Sequence, residues 1–242
     1  MAQSYFIWNG VDSRSMGVIL RRPAPLIRPE ERADHLTIPG LSGDLTLLQG
    51  QDIYNSYIQT VELTVREGAR VREAFRWLRG SGKVIFSSDP GKQQDARIIG
   101  AVTLEKHSRN VDNWEGTVQF YCQPLKERIY PVTRTVTASA SPASETLQVD
   151  GDVPTLPKIS LTPSVTGTVV LSVNGNAFTL SSMTSGSVVV IDSYVHEVVS
   201  SDGTTMLTKN SSGDFPVFQP GTNTIAGTGW SSLTIDPRER FL

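Results

Sequence analysis

From Thr133 onward the chain is cut by turn signals roughly every eight to twelve residues, and the intervals between them hold short runs such as "LPKISL", "GTVVLSV", "AFTL", "SVVVID", "HEVV" and "SLTID". Ser, Thr, Gly and Val dominate this half. Such spacing suits a β-sandwich, in which each strand is half buried and each connection is short. The clearest hairpin is "SVNGNAF", because Asn-Gly tolerates the positive φ angles of a tight turn.

The first half also reads as strands. "YFIWNG" ends in an Asn-Gly signal, "SMGVIL" follows, and "QTVELTV" alternates so that Val61, Leu63 and Val65 share one face. The runs "KVIFS", "RIIGAVTLEKH" and "WEGTVQFYC" continue the series. Between the second and third runs lies "RRPAPLIRPEERAD", charged and broken by prolines, which predicts a long excursion away from the sheet. The glycine-rich stretch "IPGLSGDLTLLQGQ" leaves one alternating segment and enters another. No helix follows it to supply the N-terminus that a phosphate cradle needs, so it is predicted to be a turn in β structure.

One segment breaks this pattern. "GARVREAFRWLRG" spaces Val71, Ala74, Phe75 and Leu78 at i, i+3, i+4 and i+7, which predicts a helix over about 69–79 with one apolar face, stopped by Gly80. Arg70, Arg72, Glu73, Arg76 and Arg79 fall on the other face. That face is either solvated or a basic docking surface for a neighbouring subunit or a polyanion. The composition shift after "QPLKERIYP" places a domain boundary near Lys126 to Pro131, giving domains 1–130 and 131–242.

Charge and motifs restrict the chemistry. A formal net charge of -2 supplies no field that would gather nucleic acid or an anionic membrane. No stretch approaches the roughly 18 apolar residues of a membrane span. Cys122, the single cysteine, lies in an apolar run and reads as a buried, inert thiol from a reducing compartment. "GSGKV" imitates a phosphate loop, but Trp77 stands where the first glycine belongs and Val84 where a hydroxyl should hold magnesium. His35, His107 and His196 show no zinc spacing, and no nucleophile elbow is present. Asp150 and Asp152 in "VDGDVPT" hint at a calcium turn without the continuation of an EF-hand. The expectation is therefore no catalytic residues, no cofactor and no metal.

The order "NGVDSRSMGVIL", "RRPAPLIRPEER", "IPGLSGDLT" and "YNSYIQTVELTV", closed at the other end by "GDFP", "PGTNTI" and "PRERFL", resembles the distal tail protein family of long-tailed bacteriophages. The resemblance implies a mainly β chain: an N-terminal β-barrel or sheet domain with one helix, then a C-terminal β-sandwich similar to galectins or carbohydrate-binding modules. It implies a non-enzymatic virion protein, a homo-hexameric ring between the tail tube protein and the tail hub or tail-associated lysin. The genome would pass through the ring, and the outer domain would meet receptor-binding proteins. In that frame Arg72, Arg76 and Arg79 are candidate subunit contacts, and Gly40 and Gly43 would permit close backbone approach near the ring. A sugar platform on the outer domain would draw on Tyr194, Phe215, Phe218 or Trp230, although each of these rings reads first as a core residue. The last strand, in "PRERFL", is a candidate to return to the first domain.

Overall fold

The computed structural model describes residues 3–139 and 141–242. The fold is mainly β with one α-helix, and the chain divides into two compact units, Met1–Ile129 with Leu242, and Tyr130–Phe241.

The first unit contains β1 (Phe6–Trp8), β2 (Val11–Asp12), β3 (Val18–Leu20), β4 (Ala33–Thr37), β5 (Asp44–Leu48), β6 (Tyr57–Arg66), α1 (Val71–Trp77), β7 (Ser81–Phe86), β8 (Lys92–Lys106) and β9 (Asn113–Arg128). Its main antiparallel sheet runs β2-β1-β7-β8-β9-β6-β3, while among the described residues β4 and β5 pair only with each other. Asn9 and Gly10 take φ of 51° and 79° in the two-residue loop between β1 and β2, which Asn tolerates and Gly, without a Cβ, adopts freely. The alternation in β6 buries Val61, Leu63 and Val65, and register sets Val61 opposite Val118 of β9. Phe6, Trp8 and Phe120 are almost fully buried. Trp77 stacks on Phe6 at 5.4 Å between ring centroids, and Trp8 meets Phe120 edge-on at 5.4 Å. A buried aromatic pair of this kind adds about 0.5–1.5 kcal/mol beyond its area.

A 3-10 turn at Gly68–Arg70 precedes α1. Val71, Ala74 and Leu78 are buried as the spacing predicts, but Phe75 is 41% exposed. Periodicity marks a stripe without saying which flank finds a neighbour. Phe6 lies on the Trp77 flank, so Trp77 packs and Phe75 is left outside.

The second unit contains β10 (Arg134–Thr137), β11 (Ala143–Val149), β12 (Lys158–Pro163), β13 (Gly167–Val173), β14 (Asn176–Met183), β15 (Val189–Asp192), β16 (Glu197–Ser200), β17 (Ser211–Gly213), β18 (Gly221–Thr228) and β19 (Trp230–Asp236). They form two five-stranded sheets, β10-β19-β12-β15-β16 and β11-β18-β13-β14-β17. One apolar core joins their inner faces: Ile159, Leu161, Ile191, Leu233 and Ile235 from the first meet Val169, Leu171, Phe178, Leu180 and Ile225 from the second. This is a β-sandwich, built by strands that alternate inward and outward residues. Asn174 and Gly175, with φ of 51° and 89°, turn β13 into β14. The Asn174 side chain accepts from the Thr224 amide at 2.9 Å and donates to Asn223 Oδ1 at 2.7 Å.

Candidate interaction surface

The proline-broken excursion after β3 is held to the first unit at a few points. Ala24 is buried, and Gln59 Nε2, itself buried on β6, donates to the Pro25 carbonyl at 3.0 Å. The chain then leaves as a two-stranded arm. At its base Asn55 N donates to Glu30 O at 2.8 Å and Arg32 N to Ile53 O at 2.8 Å, and Tyr54 is buried opposite Glu31. Beyond that base every residue of β5 and nearly all of β4 is exposed.

Register gives the arm two different faces. Asp34 lies opposite Leu47, and Leu36 opposite Leu45; these four share one side. The other side carries Ala33, His35 and Thr37 against Leu48, Thr46 and Asp44, knitted by Thr37 Oγ1 donating to Asp44 at 2.8 Å and by Thr46 Oγ1 and His35 Nδ1 at 3.2 Å. Leu36, Leu45 and Leu47 are 48%, 45% and 45% exposed, and Ile38 and Leu41 at the tip are exposed as well. An isolated two-stranded hairpin is marginally stable in water, and a contiguous apolar patch marks an interaction site. The arm therefore presents an exposed apolar side.

The turn at its tip holds the two glycines of the sequence analysis. Gly40 and Gly43 take φ of 84° and 87°, and a Cβ on either would meet nothing within 4 Å. Their positive φ calls for glycine, and among the described residues no other segment approaches them.

Arg72, Phe75 and Arg76 share the outward face of α1 at i, i+3 and i+4, and Arg79 follows just beyond its end; all four are exposed. Arg70 is turned elsewhere, donating to Glu67 at 3.3 Å and to the Ser15 carbonyl at 3.0 Å. The sugar-platform candidates differ in burial. Phe218 and Trp230 are buried in the sandwich core, which removes them from any platform, and Phe215 is packed against that core beside Phe178 at 4.8 Å. Tyr194 is 58% exposed, with the guanidinium carbons of Arg238 and Arg240 at 5.9 and 5.7 Å from its ring centre. Arg238 also donates twice to Asp192, both at 2.7 Å. That bidentate bond holds the Asp192 carboxyl below its ordinary range, against the opposing pull of partial burial.

The residues that raised catalytic questions have structural partners. Burial pushes the Cys122 thiol up to about 12, which leaves no thiolate near neutrality. Lys83 of the false phosphate loop pairs with Glu127 at 3.0 Å and Asp95 at 3.4 Å. Arg134 bridges Asp150 at 3.3 Å and buried Glu239 at 3.1 Å, so a cation from the chain itself sits beside the calcium-like turn. An open groove of about 450 Å³ in the first unit is lined by Arg21, Arg22, Glu62, Glu105 and Glu115. Arg21 pairs with Glu115 at 3.1 Å and Arg22 with Glu62 at 3.2 Å, which compensates four of the five charges on its wall. Among the described residues no group of three or more His, Cys, Asp or Glu is placed to hold a metal ion, and no helix is long and apolar enough to cross a membrane.

Fold and surface together define a two-unit, mainly β protein whose distinguishing feature is an apolar arm. No protein-family model matches the sequence, and no match is found among curated proteins. Among solved structures the chain is similar to the SPP1 Dit protein (gp 19.1), described as a paradigm of the hub adsorption apparatus in phages infecting Gram-positive bacteria. The TM-score is 0.78 at 16% identity, with the whole of both chains covered. The likeness is one of fold, and it agrees with the resemblance carried by the sequence.

Proposed function

We propose that this chain is a non-enzymatic structural protein of a phage tail tip, assembling as a homo-hexameric ring. In this reading the ring joins the tail tube protein to the tail hub or tail-associated lysin, and DNA crosses it only in transit. Residues 1–130 form the ring and residues 131–242 a peripheral, galectin-like domain open to receptor-binding proteins. The protein is made in the host cytoplasm and resides at the virion tail tip. The observation that carries the reading is the agreement in fold, over the full length of both chains, with a phage hub protein. The uncovered arm adds to it, because a ring subunit needs surface that is buried only on assembly. Light scattering behind a sizing column should give the mass of a hexamer, or of twelve copies for a double ring. Replacing Leu36, Leu45 and Leu47 together by Ser should shift that mass to monomer while circular dichroism stays unchanged. Full assembly by the triple variant would discard the arm as an assembly element.

A second reading, binding of host-surface carbohydrate by the outer domain, is favoured by the exposure of Tyr194 between Arg238 and Arg240, since an open aromatic beside polar groups is what a sugar ring packs on. Retention of the chain on immobilised cell-wall polysaccharide, lost in Tyr194→Ala, would support it. Equal retention of both proteins would count against it.

A further inference from the structure

We infer that the arm of one copy is covered by the outward face of α1 of a second copy, an inference that rests on the ring reading and names the two surfaces that would close the ring. Each surface lacks what the other has. The apolar side of the arm offers Leu36, Leu45 and Leu47, all exposed, with Asp34 among them. The helix face offers an exposed Phe75 with Arg72, Arg76 and Arg79 around it.

Charge divides the same way. Residues 30–52 hold Glu30, Glu31, Asp34, Asp44 and Asp52 against one basic residue, Arg32, whereas α1 and its C-terminal flank hold three outward arginines beside one carboxylate, Glu73. Arm against arm would set carboxylate on carboxylate, and helix against helix arginine on arginine. Both arrangements repel, whereas arm on helix is attractive in its polar and its apolar parts. Both surfaces are exposed within a single copy, so each must be covered from another. The contact is therefore between unlike patches, and unlike patches make a head-to-tail chain that closes if the rotation allows. From Glu30 to Thr37 the extended backbone reaches roughly 25 Å, enough to cross a subunit boundary. Phe75 against three leucines supplies the desolvated centre, and the arginines and carboxylates supply register and direction.

The test is a charge exchange between chains. One full-length variant carries Arg72→Glu, Arg76→Glu and Arg79→Glu; the other carries Asp34→Lys, the reversal of the carboxylate on the apolar side of the arm. Each alone should run as a folded monomer by light scattering, with association weakened at least about tenfold. Mixed one to one they should assemble, because the unchanged arm of the first variant meets the unchanged helix of the second, and the two reversed surfaces match each other. A wild-type assembly that both variants form equally well alone would overturn the pairing while leaving the ring intact and the arm to a different protein. Two monomers that stay apart when mixed would overturn it as well. A wild-type chain monomeric at every concentration would remove the ring reading itself.

A second measurement avoids charge altogether. Cys122 is buried, so cysteines introduced by Leu47→Cys and Phe75→Cys would be the accessible thiols. Oxidation should give a ladder of linked copies on a denaturing gel. A single unlinked band, with wild-type assembly preserved, would overturn the pairing.

Discussion

The arm and the sandwich of the second unit are written in the same alternating code and end in opposite states. In β12, β13 and β19 the alternate residues Leu161, Leu171 and Leu233 are almost wholly buried, because a second sheet faces them. In β4 and β5 the alternate residues Leu36, Leu45 and Leu47 face solvent. Alternation reports that a strand has an apolar side and says nothing of what covers it. The sandwich covers its own apolar sides, and the arm leaves its apolar side exposed.

This contrast sets the largest expected effect. Leu171→Ala should lower stability by about 2–5 kcal/mol, through lost burial and the cavity left between the sheets. Leu47→Ala should change the stability of the monomer by less than about 0.5 kcal/mol, as is usual for an exposed position. Urea unfolding at concentrations too low for assembly measures both. A comparable loss from Leu47→Ala would mean that the arm is packed within its own copy, and the contrast between the two regions would be gone.

The sequence made the self-contained parts of the fold visible and left the partner-dependent parts dark. Asn9-Gly10 and Asn174-Gly175 turned as Asn-Gly pairs readily do, and Val61, Leu63 and Val65 pointed inward together, because these features depend on local sterics and one nearby sheet. The error at Phe75 has a different origin. A seven-residue helix can pack on either flank of its stripe, and Phe6, distant in sequence, decided for Trp77. For the four aromatics weighed as a sugar platform the core was the first expectation, and which of them stay outside depends on where the two sheets close: of the four, Tyr194 keeps an exposed ring. The arm carried a usable signal, three leucines in "LTLLQGQ" beside paired glycines, but its exposure follows from the absence of a facing element, which no local pattern encodes.

A smaller effect is expected from the ion pair at the rim of the sandwich. The folded Asp192 carboxyl lies below its ordinary value, chiefly through the hydrogen bonds from Arg238. A depressed carboxylate stabilises the fold above the unfolded pKa, near 3.9, and that contribution fades as pH falls through the lower folded value. Asp192→Asn should therefore cost about 0.5–1 kcal/mol at pH 7, the screened worth of a partly exposed bidentate pair. The gap to wild type should narrow progressively below pH 4. A cost independent of pH would place the effect in packing at Asp192 instead of in its charge.

The smallest global effect should come from Gly43→Ala, at the tip of the arm. At φ of 87° an L-residue is strained, and leaving an allowed region costs roughly 1–2 kcal/mol. Nothing lies within 4 Å of the added carbon, so the whole penalty is backbone strain. If the arm belonged to the cooperative unit that melts with the sandwich or the main sheet, this cost would appear in the unfolding free energy. Because β4 and β5 pair with no other strand, the strain should instead be relieved by local opening of the hairpin, which native proteins tolerate in their least stable segments. Unfolding midpoints should then match wild type, while amide hydrogen exchange speeds up from Thr37 to Leu45 and stays unchanged in β6 and β9. Gly43→Asn, whose side chain tolerates positive φ, should restore slow exchange. A drop of the full 1–2 kcal/mol in global stability would tie the arm to the body of its own subunit and remove its reason to seek a neighbour.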